Sequence, residues 1–300
     1  MNILVSGSHG FIGSALIPSL TTGGHRVIRL VRSPSPTREG EVSWDPARET
    51  LATARLGPID ALVHLAGENL AAGRWTAARK ASIRESRIRG TRFLCETLAQ
   101  LPHPPKVVIC ASAIGYYGDR GEELLTEESS AGSGFLAQLC QDWEAATEPA
   151  VKRGIRVVNL RTGIVLSPAG GALAKMLLPF KLGVGGRLGS GVQYMSWVSI
   201  DDVVGAIDYA LANESLSGPV NVVAPTPVTN REFTKTLGRV LSRPTVLPAP
   251  AFVLRLVLGQ LADEALLSSA RVSPTKLLVK GYHFRYPNLE AALRHVLGTH

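Results

Sequence analysis

The chain has 300 residues, 45% of them hydrophobic, and carries a formal net charge of +8 with a pI of about 9.7. That size and composition fit an ordinary soluble globular protein with one large domain or two lobes, and no apolar run is long enough to span a bilayer. Cys95, Cys110 and Cys140 are odd in number and lack CxxC spacing or a nearby histidine pattern, which argues against a disulfide framework or a zinc site and suits a reducing cytoplasm.

The strand pattern starts at Met1, so no leader segment is expected. MNILVS is a short apolar run, and GxxGxxG follows at once as Gly7, Gly10 and Gly13, leading into the helix-compatible FIGSALIPSL. Strand, tight turn and helix start in that order make a dinucleotide site. Glycines remove the Cβ atoms that would hold a pyrophosphate off the backbone, and the helix start around Phe11, Ile12 and Gly13 offers N–H groups and partial positive charge. The second strand, HRVIRLV, should be followed by an acid that binds the ribose 2′-hydroxyl. Instead there is no Asp or Glu from Met1 to Arg38, while Arg26, Arg29, Arg32 and Arg38 are all positive. An arginine pairs with a 2′-phosphate that a carboxylate would repel, so NADP(H) is expected over NAD(H), with Arg32 as the first-choice contact and Ser33 the second. The plainer reading of Arg32 is a solvated residue at a strand end.

ALVHLAG is the next strand, and a helix is predicted from Thr76 to Leu101, ended by Pro102, Pro104 and Pro105. From Arg74 to Arg92 this helix is strongly basic, with Glu85 its only acid, and Lys80, Arg84 and Arg87 share one face. A solvated face, recognition of an anionic small molecule and a nucleic-acid surface are all open readings; the absence of interleaved aromatics disfavours the last. KVVICAS, a helix from Phe135 to Arg153 closing at Gly154, and the strand RVVNLRTGIVL continue the alternation. Beyond Leu166 a glycine-rich basic stretch reads as a ligand-covering segment, with Lys175, Lys181, Arg187, Tyr194 and Trp197 in the lid. SIDDVVGAIDYAL is a capped helix and GPVNVVA a strand. In the tail, Thr229 and Glu232 form a capping box, AFVLRLVLGQLA is read as a buried amphipathic helix, Ser273 and Pro274 start a helix stopped by Gly281, and YHFRY is strand-like. The predicted fold is α/β, a Rossmann-type doubly wound parallel sheet over residues 1–165 and 196–224. A smaller, mostly helical lobe is expected from residues 166–195 and 225–300.

Several of these motifs together resemble the extended short-chain dehydrogenase/reductase superfamily: GSHGFIG its glycine loop, IDALVHLAG its fourth strand, ICASAIGYYG its active-site strand, LRTGIVLSP its LRxxxVxGP segment and SWVSIDDVV its later VDD segment. LAGENLAAGRWT, GYYG and RTGIVLSPAGGALAKMLLPF are similar to the atypical "epimerase family" subgroup, whose C-terminal domain has no assigned function. The resemblance covers about the whole chain. It implies that Gly7, Gly10 and Gly13 hold the pyrophosphate, that Ala66 and Gly67 line the cofactor, and that Ser112 stands at the catalytic serine position. Typical members also carry YxxxK on the next helix. Aligned through Glu144, those positions hold Leu136 and Cys140, and the usual asparagine of NVxGT becomes Arg87 within RIRGT.

With the tyrosine and lysine missing, Tyr116 and Tyr117 are the candidates for proton exchange beside Ser112, with Arg87 a possible source of the lost positive charge. Cys140 is a weaker candidate nucleophile, and His9, His25, His64 and His103 stand singly with no metal cluster. The expected function is an NADP(H)-dependent oxidoreductase or epimerase acting on a small polar carbonyl or alcohol, anionic ones included. The rival is an NADP(H)-binding redox sensor without turnover. Monomer and homodimer are both open.

Overall fold

A computed structural model describes residues 1–32 and 39–299. Eight strands form the central sheet: β1 (Asn2–Ser6), β2 (Arg26–Val31), β3 (Glu41–Asp45), β4 (Thr50–Leu51), β5 (Ala61–His64), β6 (Val107–Ala113), β7 (Arg156–Thr162) and β8 (Gly218–Val222). Their spatial order is β8-β7-β6-β5-β1-β2-β3-β4, parallel except where the two-residue β4 folds back on β3. Ile3, Leu4 and Val5 are all fully buried because helices cover both faces, which is why parallel strands read as unbroken apolar runs. One face packs on Leu16 and Leu20 of α1 (Phe11–Thr22) and on Val203 and Ile207 from later in the chain; the other packs on Leu94 and Leu98 of α2 (Ala77–Ala99) and on Trp143 of α3 (Phe135–Ala145). The winding reverses between β1 and β5, the usual place for a ligand crevice at the carboxyl ends of the strands.

The helix expected from Phe135 to Arg153 is two helices, α3 and α4 (Glu148–Lys152): the chain turns at Ala146 and Thr147, and Pro149 cannot donate to a continuing ladder. Gly154 does take the left-handed conformation, at φ +83°. RVVNLRTGIVL is likewise not one strand. It breaks at Gly163, where a Cβ would stand 2.4 Å from the Ser196 carbonyl oxygen, and Ile164–Leu166 leaves the central sheet to pair with Trp197–Ser199. The glycine-rich stretch after Leu166 contains a helix, α5 (Gly171–Lys181), whose Leu173, Leu177 and Phe180 join a separate core around Trp197 and Phe233.

Helix α6 (Ile200–Ala212) starts at Ser199, whose side chain accepts from Asp202 N, and α7 (Asn230–Val240) has the expected Thr229–Glu232 capping box. Among the described residues the tail then holds α8 (Ala251–Leu258), a π-helical turn (Ala262–Leu266), α9 (Thr275–Val279) and α10 (Leu289–Leu297). The buried amphipathic helix expected at AFVLRLVLGQLA is corrected by α8, which buries none of its residues and leaves Phe252 and Leu256 about 70% exposed, at 69% and 72%. YHFRY is not a strand. Its backbone N–H groups at Arg285 and Tyr286 donate to the fully buried Asp202 carboxylate at 2.7 and 3.1 Å, so the tail is satisfied by a side chain in place of a sheet neighbour. Among the described residues no helix is long and apolar enough to cross a membrane.

Candidate active site

At the carboxyl end of β1 the chain turns at Gly7, φ +71°, where a Cβ would meet the Leu65 and Ala66 backbone at 2.7–2.8 Å. A Cβ on Gly13 would stand 2.2 Å from the Gly7 carbonyl oxygen, and one on Gly10 3.1 Å from the same atom. The turn therefore fills the space that side chains would occupy. Gly10 caps α1 without a side-chain hydrogen bond, and the first turn carries no acid, so the helix start keeps its N–H groups and positive end for a ligand. These features fit the diphosphate of a dinucleotide. Beneath the turn, Ser6 and His64 are hydrogen-bonded at 2.5 Å across β1 and β5, and burial lowers the His64 pKa to about 4, keeping the ring neutral. Arg32 is exposed at the end of β2, and Ser33 lies outside the described residues.

A cavity of about 240 Å³ opens beside this turn. Ile12 bounds it on the α1 side, Ser112 and Ala113 at the end of β6, Arg87 from α2, and Leu136 and Cys140 from α3. The two positions matched to the superfamily tyrosine and lysine thus do face the candidate serine, as an aliphatic group and a thiol. Burial pushes the Cys140 thiol up to about 12, so it is protonated and no nucleophile.

Ser112 is buried and its hydroxyl donates to Glu144 Oε1 at 2.7 Å. Glu144 is in turn gripped by Arg161 from β7, with Nε–Oε1 and Nη2–Oε2 both 2.8 Å. Arg161 Nη1 donates to the Tyr117 hydroxyl at 3.0 Å, and that hydroxyl donates to Asn221 Oδ1 at 2.7 Å. The Arg161 guanidinium also lies 3.4 Å from the centroid of the Tyr116 ring. Burial works against the Arg161 charge, but bonding and attraction to Glu144 outweigh it and its pKa is raised. Tyr117 is fully buried, and burial raises its pKa despite Arg161. Its hydroxyl is a node of this internal chain, whereas Tyr116 is half-buried with its ring on the guanidinium.

The structure brings Ser112 and Arg87 to one cavity and leaves Arg32 at the rim of the sheet. Arg87, offered by sequence both as part of the basic helix face and as the site's missing positive charge, is buried, while Arg84 on the same face is exposed and pairs with Asp142 at 2.6 Å. Gly67 accommodates Arg87: a Cβ there would stand 3.3 Å from the guanidinium carbon. Of the expected lid, Gly170 and Gly171 lie on the Phe11 ring, and Lys175 Nζ reaches the Ala71 carbonyl at 3.1 Å, tying α5 to the loop after β5. Trp197 does not belong to the lid. It is fully buried, with its indole N–H on the Thr226 carbonyl. The tail positions α3 directly, since Glu264 accepts from Phe135 N and Leu136 N at 3.0 and 2.7 Å and so caps the helix that carries Cys140 and Glu144.

Glu144 and Arg161 were not singled out from sequence as site residues. The available signal was a charge on each of two buried surfaces: Arg161 inside an apolar strand, and Glu144 four residues after Cys140 on the inward face of α3. Buried charges of opposite sign call for each other.

A family model described as "NAD dependent epimerase/dehydratase family" matches residues 3–224, and one described as "Domain of unknown function (DUF1731)" matches residues 249–296. An epimerase family protein of Mycobacterium tuberculosis is 46% identical over 291 residues, covering 97% of this chain and 96% of that protein. The human epimerase family protein SDR39U1, crystallised with NADPH, is 36% identical with a TM-score of 0.90 over 99% of each chain. A UDP-glucose 4-epimerase of Thermus thermophilus, crystallised with NAD, shares the fold at TM-score 0.77 and 22% identity over 99% of each chain.

Proposed function

From the premise that this chain belongs to the NAD dependent epimerase/dehydratase family, matched over residues 3–224, we propose that it is an NADP(H)-dependent oxidoreductase or epimerase of a small polar carbonyl or alcohol. The observation that carries the proposal is the cavity that joins Ile12, behind the glycine turn, to Ser112 at the end of β6. When bound, the nicotinamide supplies or accepts a hydride. Gly7, Gly10 and the N–H groups of Phe11, Ile12 and Gly13 hold the diphosphate, Ala66 and Gly67 line the adjoining wall, and Arg32 takes the 2′-phosphate. Binding of NADPH by the human relative supports the choice of cofactor. Residues 166–195 and 225–300 form the lobe that covers the substrate.

Ser112 has one proton and gives it to Glu144. Its lone pairs are what remain for a ligand, so it accepts from a substrate hydroxyl and fixes its orientation. Tyr117 supports this arrangement from inside, because its hydroxyl is committed to Arg161 and Asn221. Tyr116, whose ring lies on the Arg161 guanidinium, is the tyrosine left to exchange a proton.

Oxidation of bound NADPH by a panel of small carbonyl compounds tests the proposal through nicotinamide absorbance. With a substrate in hand, Ser112→Ala and Tyr116→Phe should each lower turnover by about 100-fold or more, in the range of positioned proton-transfer groups. Full turnover in both would refute the assignment. Arg32→Glu should weaken NADPH by roughly 10–100-fold, the worth of a charge-assisted hydrogen bond, and leave NADH little changed; equal losses in calorimetric titrations would remove Arg32 from the 2′-phosphate. The presence of Leu136 and Cys140 in the cavity favours a second reading, an NADP(H) sensor without turnover. Unchanged absorbance with every carbonyl tested would support it.

A further inference from the structure

We infer that the cavity takes a ligand bearing a single carboxylate and that Arg87 is the group that receives it. The inference rests on the reading of this cavity as the substrate site. Arg87 is only 7% exposed and lines the cavity. Its Nη1 donates to the Ile83 carbonyl at 3.3 Å and its Nη2 to the Glu68 carbonyl at 2.9 Å, so both acceptors are neutral. A guanidinium has five N–H donors, and these two bonds use two of them.

Glu68 is close enough to favour the Arg87 charge, but each nearby acid already has another ion-pair partner. Glu68 pairs with Arg79 at 2.5 Å, Glu144 with Arg161 and Asp142 with Arg84. Cys140 is a neutral thiol, and the Trp143 ring, 5.0 Å from the guanidinium carbon, contributes only a weak cation–π attraction. Burial lowers the Arg87 pKa to about 10, which still leaves it charged at neutral pH. A buried cation without a counter-ion is unfavourable unless something else brings the negative charge.

The rest of the wall says what that ligand is. Ile12, Leu65, Leu70, Leu136 and Leu139 are apolar, and Ser112 and Thr162 supply hydroxyls. A volume of about 240 Å³ suits a short carbon skeleton. One cation balances one charge; a phosphate would leave an excess negative charge in an apolar chamber. The substrate class is therefore a small hydroxy-carboxylic acid or the oxo-acid it interconverts with, its carboxylate on Arg87 and, in the hydroxy form, its hydroxyl donating to Ser112.

The test uses the full chain saturated with NADPH and follows cofactor fluorescence and heat. Acetate, pyruvate, 2-oxobutyrate and 2-hydroxybutyrate are titrated beside their methyl esters and beside inorganic phosphate. At least one acid should bind tenfold or more tightly than its ester and than phosphate. Arg87→Leu should abolish that preference and Arg87→Lys should retain part of it, both with NADPH affinity within threefold of the parent. Equal binding of acids and esters, tighter binding of phosphate, failure of every acid to bind, or a tenfold loss of NADPH affinity in Arg87→Leu would each overturn the inference. Binding of pyruvate or 2-oxobutyrate without oxidation of NADPH would count against the oxidoreductase reading and leave the carboxylate site standing.

Discussion

Replacing Arg161 with leucine is expected to destabilise the protein by about 3–5 kcal/mol, because it strands the Glu144 carboxylate without its counter-ion. The pair is nearly dry, with side-chain exposures of 3% and 13%, and it is bidentate. Removing the guanidinium also takes a donor from the Tyr117 hydroxyl and the support from beneath the Tyr116 ring. For a chain of this length the loss corresponds to a drop of roughly 5–8 °C in the midpoint of thermal unfolding. Glu144→Gln should cost less, since an amide still accepts from Ser112 and from one guanidinium arm, although Arg161 is then uncompensated. The Glu144→Leu, Arg161→Leu double variant should recover a large part of the single-variant loss, as apolar replacements of buried ion pairs do. Additive losses in the double-mutant cycle would show that the two residues act separately and would remove the polar chain from the account of the site.

The elements that were readable from sequence are those whose pattern depends on local chemistry. β1 and α1 are legible because the three glycines must sit where backbone meets backbone, and the central strands because burial on both faces makes them continuously apolar. What escaped depends on contacts between distant segments. YHFRY has strand composition, but Asp202 draws its N–H groups away from any ladder. α8 has the apolar content of a core helix, yet no element packs over its Phe252 and Leu256 face among the described residues. Arg87 lies on a basic helix face, and its burial shows only once α3 is set against it. There Cys140 lines the same cavity, and Gly67 has no side chain, so the guanidinium has room to turn inward.

Gly13→Ala should abolish NADPH binding, with a loss of at least about 100-fold, and should destabilise the protein by about 3 kcal/mol or more, above the ordinary range for overpacking. Alanine is the better helix former by roughly 1 kcal/mol, so propensity alone would predict a gain. Sterics decide the sign, because the new Cβ would stand 2.2 Å from the Gly7 carbonyl oxygen and 2.9 Å from Ser8 Cα. Both are backbone atoms, and the same carbonyl already accepts from Gly10 N at 2.9 Å, so relief requires opening the turn. Opening it moves the N–H groups of Phe11 and Ile12 that the diphosphate needs. Gly10→Ala, whose Cβ would meet that oxygen at 3.1 Å, should show a milder form of both effects. Gly24→Ala is the control: φ is +76° but nothing lies within 4 Å, so only backbone strain of about 1–2 kcal/mol is expected, with NADPH affinity unchanged. Thermal melts of the three variants, with calorimetric NADPH titrations, separate these outcomes. A Gly13→Ala protein that bound NADPH as the parent does would place the dinucleotide somewhere other than this turn.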